Sequence, residues 1–183
     1  MLLLIFWDSS APAGLGLPVS RMVSELTGTE VRVCPSPVIL NGYVGSRQQT
    51  DARAVIDSID LLKHRQSLTS PVLLFCGTDL FIGESSSVFG LARPLTGSAV
   101  VSMARLCNSY YGRDDNDDDL LDRMVKEGAH EVGHLLGLDH CCDPACIMHN
   151  PITLDDLDRK RKSFCPACRE QVAIRSFRVD TIV

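Results

Sequence analysis

The sequence contains no hydrophobic run long enough to cross a membrane. A transmembrane helix needs about 18 or more apolar residues in succession, whereas the N-terminal run from Leu2 to Trp7 already ends at Asp8. No lysine or arginine precedes this run, so it lacks the basic region of a secretory signal, although the APAG that follows imitates a cleavage site. We therefore predict a buried first strand there, and a cytoplasmic protein that does not use a membrane as a partner.

The chain also lacks an excess of positive charge. It has 18 lysines and arginines against 23 aspartates and glutamates, a formal net charge of -5. This balance gives no general attraction for nucleic acid, so we do not expect nucleic acid as a partner. A local basic run, RKRK at residues 159–162, is interpreted as the solvated face of a late helix, because short charge runs are usually solvated.

With 183 residues, the chain is long enough for one well-packed domain. Residues 71–76 (PVLLFC) form a nearly continuous apolar run, which is typical of a strand covered on both faces. Val55, Ile56, Ile59 and Leu62 have the spacing of one apolar helix face. Such segments alternate over the first hundred residues, and this alternation predicts an α/β fold with a mostly parallel sheet.

The segment HEVGHLLGLDHCCDPACIMHN, residues 130–150, holds four of the five histidines. His130 and His134 are four apart on a predicted helix, so their imidazoles project from the same face. Gly137 can adopt the left-handed conformation that ends a helix, and the chain can then bring His140 back as a third ligand. Three neutral imidazoles with one open coordination position suit a catalytic zinc ion.

Glu131 lies next to the first histidine and is not needed as a ligand. Zinc can lower the pKa of a bound water to about 7 and polarise a peptide carbonyl. Glu131 would take the proton of this water and deliver it to the leaving amine. The alternative, histidines that only make ordinary hydrogen bonds, requires five specified residues to coincide by chance. The pattern therefore predicts hydrolysis of a peptide or protein substrate.

The chain has eight cysteines, which in a cytoplasmic protein indicate metal or redox chemistry rather than disulfides. Cys141 with Cys146 and Cys165 with Cys168 form two pairs, C-x4-C and C-x2-C, that suit a closed four-thiolate zinc site. CPAC also has the spacing of a thioredoxin-like redox centre, and stabilising disulfides are a third alternative if the chain is secreted. Cys142 could replace Cys141 as a ligand.

HEVGHLLGLDH resembles the zinc signature of the metzincin metallopeptidases. Together with Cys141, Cys146, Met148 and the later CPAC, it is similar to the archaemetzincin family. The resemblance favours Cys141 over Cys142 and implies that Met148 packs in a turn beneath the catalytic metal. It further implies two zinc ions, one catalytic and one structural.

The same resemblance implies a compact metzincin-like fold. We expect a twisted, mostly parallel mixed sheet with an antiparallel edge strand, the zinc helix at the floor of a cleft, and a small helical C-terminal part. The single domain 1–183 would divide into an upper part, 1–137, and a lower part, 138–183. Residues 88–92 are the candidate edge strand, which would pair with an extended peptide. A catalytically silent zinc-binding adaptor and a CxxC redox protein remain the alternative functions.

Overall fold

Strands and helices alternate along most of the chain in the computed structural model, which describes residues 1–178. The strands are β1 (Leu2–Trp7), β2 (Glu30–Pro35), β3 (Tyr43–Val44), β4 (Gln49–Asp51), β5 (Val72–Cys76), β6 (Leu80–Phe81), β7 (Gly90–Arg93) and β8 (Ser98–Ser102). The helices are α1 (Gly16–Thr27), α2 (Ala52–Gln66), α3 (Asp117–Leu135), α4 (Leu154–Arg159) and α5 (Pro166–Arg178), with a 3-10 turn at Asn108–Tyr111.

Five strands form the main sheet in the order β2-β1-β5-β8-β7. Neighbouring strands run parallel except at the edge, where β7 is antiparallel to β8 with Gly90 opposite Val101. The predicted α/β fold, with a mostly parallel sheet and an antiparallel edge strand, is therefore confirmed. The edge strand is shifted from residues 88–92 to Gly90–Arg93, because Val88 makes only an isolated bridge to Leu80. A smaller sheet has the order β3-β4-β6.

Helices cover both faces of the main sheet. In the central strand β5, Leu73 and Phe75 pack with the apolar faces of α1 and α3, whereas Val72 and Leu74 pack against α2. All four side chains are fully buried. Burial on both faces explains why β5 is a continuous apolar run instead of an alternating one. Helix α3 thereby gains a fixed position beneath the sheet and next to β7.

The basic run at residues 159–162 is not a uniformly solvated face, and the prediction is wrong for Lys160. Helix α4 ends at Arg159, whose side chain is 75% exposed, but the Lys160 side chain is 0% exposed. Its Nζ lies 3.2 Å from Oε1 of Glu127 on α3. A lysine can be buried here because a paired carboxylate offsets the loss of hydration.

No helix within residues 1–178 is long and apolar enough to span a membrane. The expected boundary between the upper and lower parts, at residue 137, falls just after α3 ends. This division stays a prediction. The last five residues of the expected lower part, 179–183, lie outside the described residues.

Candidate active site

Helix α3 carries most of the site, and its start is fixed by local chemistry. The Asn116 side chain accepts hydrogen bonds from the backbone N–H groups of Asp118 (2.9 Å) and Asp119 (3.2 Å). Three aspartates in the first turn also stabilise the helix, because their negative charges lie near the positive end of the helix dipole. Residues 116–119 therefore mark the start of α3.

The chain turns sharply at the other end of α3. Gly137 has φ +86°, in the left-handed region where a side chain would be strained. Its N–H donates to the carbonyl of His134 at 2.8 Å, and Leu138 N–H donates to that of Gly133 at 2.9 Å. The turn places His140 opposite the two histidines of the helix.

The imidazoles of His130, His134 and His140 converge on one point. Their ring centroids are 4.7, 5.3 and 4.8 Å apart, and one nitrogen from each lies within 4.8 Å of the others. Nε2 of His130 is 3.1 Å from Nε2 of His134. Two imidazoles bound to a tetrahedral zinc at about 2.0–2.1 Å would place their nitrogens about 3.3 Å apart. The donor set and its spacing fit zinc.

Backbone carbonyls decide which ring nitrogen points into the cluster. Nδ1 of His130 donates to the carbonyl of Ile147, and Nδ1 of His134 to that of Leu138, both at 2.8 Å. A carbonyl only accepts, so each Nδ1 carries the proton and each Nε2 presents a lone pair. Two lone pairs at 3.1 Å repel each other unless a cation lies between them. The arrangement thus independently fits a metal ion.

Burial also keeps these imidazoles neutral. It lowers the pKa of His130 well below the ordinary value, and it lowers the pKa of His134 and His140 as well. The positive charge of Lys160 adds to the effect on His130 and His140. Neutral imidazole is the form that binds metal.

Glu131 lies beside this cluster with an unsatisfied oxygen. The residue is 4% exposed, and its buried Oε2 has no hydrogen-bond partner within residues 1–178. Burial raises the pKa of Glu131 well above its ordinary value; the charge of Glu127 adds to this effect, and Lys160 opposes it. A buried carboxylate oxygen without a partner is costly, so its presence needs an explanation in function.

An open cleft of about 500 Å3 leads to these residues. One wall is the segment 86–92, which includes the start of β7, and the other is the segment 150–152. Glu127, His130, Glu131 and His134 of α3 form its floor. The cleft therefore joins the edge of the sheet to the histidine cluster.

Four cysteines from two separate segments form a second cluster. The sulfurs of Cys141, Cys146, Cys165 and Cys168 lie within 4.8 Å of one another. Sγ of Cys141 is 3.8 Å from Sγ of Cys165. Thiolates at about 2.3 Å from a tetrahedral zinc would be about 3.8 Å apart, whereas a disulfide requires about 2.05 Å. Cys142 is exposed and outside this group.

Backbone N–H groups surround the sulfur atoms. Asp143 N–H donates to Sγ of Cys141 at 3.4 Å, and Cys165 N–H donates to Sγ of Cys146 at 3.3 Å. A hydrogen bond from the backbone of Cys168 lowers the pKa of Cys165, while burial raises that of Cys146 and Cys168. Such donors stabilise thiolates, the form in which cysteine binds metal.

Met148 connects the two clusters. Its side chain is fully buried, and a Cβ placed on Gly133 of α3 would overlap its sulfur. Its carbonyl accepts a hydrogen bond from Cys141 N–H at 2.8 Å. The residue therefore packs against α3 and also contacts the backbone of the first cysteine of the cluster.

Three further residues were not recognised in the sequence, namely Glu127 and Gly90 in the cleft lining and Lys160 behind it. The sequence does indicate a position for Glu127, since it lies four residues before Glu131 and therefore on the same face of a helix. For Lys160 and Gly90 the sequence indicates none. Their roles depend on contacts with α3 from distant parts of the chain.

Known proteins resemble the chain over most of its length. The model of peptidase family M54 matches residues 19–174. An archaemetzincin of Thermococcus kodakarensis is 36% identical over 135 residues, which cover 74% of this chain and 72% of that protein. The crystal structure of a zinc-dependent peptidase from Methanocorpusculum labreanum superposes with a TM-score of 0.88 at 41% identity, covering 93% of this chain and 99% of that one. The structure of an archaemetzincin from Methanopyrus kandleri gives 0.80 at 33% identity, over 96% and 94% of the two chains.

Proposed function

This chain belongs to peptidase family M54, the archaemetzincin family of zinc metallopeptidases, and we propose that Glu131 is the general base of its peptide-bond hydrolysis. In this proposal His130, His134 and His140 hold the catalytic zinc. The observation that carries the proposal is the carboxylate of Glu131 in the floor of the cleft, whose buried Oε2 has no hydrogen-bond partner within residues 1–178.

When bound, zinc polarises a substrate carbonyl and lowers the pKa of a water molecule. Glu131 lines the cleft, and its Oε2 has no hydrogen-bond partner within residues 1–178, so the carboxylate is available to accept the proton of that water. Because burial raises the pKa of this carboxyl, Glu131 can hold the proton long enough to return it to the leaving amine. A group with both duties works best with a pKa near the working pH.

The edge strand supports an extended peptide as the substrate. The carbonyl of Phe89 accepts a hydrogen bond from Ser102 N–H at 2.8 Å. In an antiparallel pair these bonds alternate, so the backbone groups of Gly90 and Ala92 point away from β8 and toward the cleft side. An extended peptide can pair with this edge and pass above Glu131.

A second zinc ion at Cys141, Cys146, Cys165 and Cys168 is part of the proposal. The sulfur spacing of 3.8 Å and the backbone N–H donors support it over a disulfide or a dithiol redox pair. The cysteine cluster and the cleft both contain residues of the segment after Gly137, so this zinc would stiffen the loop that carries His140.

The test is Glu131→Gln, which preserves shape and removes the base. The variant should retain two zinc ions per chain and lose hydrolysis of a peptide library by about 10²-fold or more. Glu25→Gln, an exposed glutamate on α1, is the control and should leave hydrolysis unchanged. Retained hydrolysis in Glu131→Gln would rule out the mechanism. Peptide binding without turnover by the wild type would instead identify a zinc-binding adaptor.

A further inference from the structure

A buried ion pair between Glu127 and Lys160 lies at the floor of the cleft, and we propose that it selects substrates with a cationic side chain beside the scissile bond. The inference rests on the proposed function, because it assigns the substrate class of the same cleft. It starts from two residues that neither hold zinc nor transfer a proton in the proposed mechanism.

The pair presents only one of its charges to the cleft. Nζ of Lys160 lies 3.2 Å from Oε1 of Glu127, and the two side chains are 0% and 3% exposed. Glu127 lines the cleft one helical turn before Glu131, whereas Lys160 is behind it and does not line the cleft. A substrate therefore meets the carboxylate end of the pair.

The rest of the cleft lining does not supply a compensating side-chain cation. In the described part of the chain, the ionisable residues that line it are Glu127, Glu131 and the three histidines, without a lysine or arginine. The three histidines are the proposed zinc ligands, so the positive charge on their side of the cleft would be that of the bound ion. Of the two carboxylates in the lining, Glu127 is the one that the proposed mechanism leaves available to a substrate side chain.

A substrate ammonium or guanidinium suits this carboxylate. An ionised carboxylate offers about four acceptor positions, and Lys160 occupies one of them. A substrate lysine or arginine can donate charge-assisted hydrogen bonds to the remaining positions. An acidic side chain would be repelled, and an apolar one would remove water from Glu127 without replacing its hydrogen bonds.

Lys160 holds this carboxylate in place from a rigid segment. The backbone N–H of Lys160 donates to the carbonyl of Leu157 at 3.2 Å. Lys126 Nζ of α3 also donates to the Leu157 and Asp158 carbonyls, at 3.2 and 3.1 Å. The end of α4 is thus fixed to the zinc helix, and Glu127 is oriented before a substrate arrives.

The experiment measures peptide binding to the zinc-loaded full chain with Glu131→Gln, so that nothing is cleaved. Matched peptides carry lysine, norleucine or glutamate at each position near a fixed cleavage sequence, and fluorescence anisotropy gives their Kd values. At one position beside the scissile bond, lysine should bind about tenfold or more tightly than norleucine, with glutamate weakest. The wild-type chain should show the same order in kcat/KM.

Two variants and a control locate the preference. Glu127→Gln should abolish the advantage of lysine, but it leaves the buried Lys160 without a counter-charge. The double variant Glu127→Leu with Lys160→Met removes both charges, which proteins usually tolerate, and should favour norleucine. Glu25→Gln breaks an exposed ion pair with Arg21 on α1, away from the cleft, and should preserve the preference for lysine.

Different results would overturn the preference for a cationic substrate and the proposed peptide hydrolysis. Equal binding of lysine and norleucine peptides, or a lysine preference that survives in the double variant, overturns the selectivity role even if hydrolysis is normal. Failure of the wild type to hydrolyse any peptide overturns the proposed function. In that case the order of Kd values still decides whether Glu127 selects a cation.

Discussion

The backbone of Gly90 in the edge strand lies directly against the carboxylate of Glu131. A Cβ at this position would overlap Oε1 of Glu131 and would lie 2.9 Å from both its Cδ and the carbonyl oxygen of Val100. The edge strand can therefore pass this close to the proposed base only where the chain has no side chain.

Gly90→Ala is expected to lower kcat/KM by about 10²-fold, since displacing a catalytic group by about 1 Å has effects of this size. It should also lower the free energy of unfolding by about 1–3 kcal/mol through overpacking. Zinc content should not change, because the histidines lie outside this contact. Peptide hydrolysis, metal analysis and urea denaturation measure the three effects.

Gly14→Ala is the matched control, because a Cβ at Gly14 has no atom within 4 Å. A double-mutant cycle with Glu131→Ala tests the contact itself. The destabilisation by Gly90→Ala should shrink by about 0.5 kcal/mol or more in that background, with a remainder from Val100. An unchanged cost would show that Glu131 is not the side chain that requires the glycine.

Loss of one cysteine of the cluster should weaken the binding of zinc at the three histidines, although the cysteine does not contact that zinc. Ile147 lies between Cys146 and Met148, and its carbonyl orients the His130 ring. Cys168→Ser would loosen this segment and should reduce zinc affinity at the histidines by about 10–100-fold. Substitutions that disturb the groups hydrogen-bonded to a metal ligand usually have effects of this size. Competition with a chromophoric chelator measures the affinity.

Cys142→Ser provides the control for this experiment, since Cys142 is exposed and lies outside the cysteine cluster. It should leave both zinc sites unaffected. Unchanged affinity and hydrolysis in Cys168→Ser would show that the two sites are adjacent but independent.

Chelation should remove the two proposed zinc ions in separate phases. The histidine site opens to the cleft and includes the exposed His140, whereas the cysteine cluster has two buried members. The first zinc should leave with loss of activity and a small change in Tm. The second should leave with most of the stability, because a structural thiolate site contributes about 10–16 kcal/mol to folding. Zinc release followed together with thermal unfolding checks this order, and simultaneous loss of both ions would contradict it.

Lys160→Met should lower the free energy of unfolding by about 3–5 kcal/mol, because it leaves Glu127 as an uncompensated buried charge. Arg159→Met changes a neighbouring cation whose side chain is 75% exposed, and its effect should stay within about 0.5 kcal/mol. Adding Glu127→Leu to Lys160→Met should restore most of the stability in chemical denaturation. A persistent loss in the double variant would mean that packing, not charge, causes the effect.

Much of the chemistry was predictable because it depends on local spacing. His130 and His134 share a helix face by their separation alone, and Gly137 permits the turn that His140 requires. The apolar run of β5 predicted a strand buried on both faces. The resemblance of the histidine and cysteine motifs to the archaemetzincins is confirmed by the family match.

The sequence alone thus determined the α/β fold class and the candidate metal ligands, which follow from residue type and short-range periodicity, and its motifs carried the resemblance to the family. Tertiary structure decided which polar groups surround these ligands. Glu127 and Lys160 meet across 33 positions of the chain, and only packing shows that one faces the cleft and the other is hidden. Gly90, likewise, matters through a contact with Glu131 that no local pattern records. Burial and close approach are properties of the assembled sheet and helices, and they set the charge and the space around the proposed base.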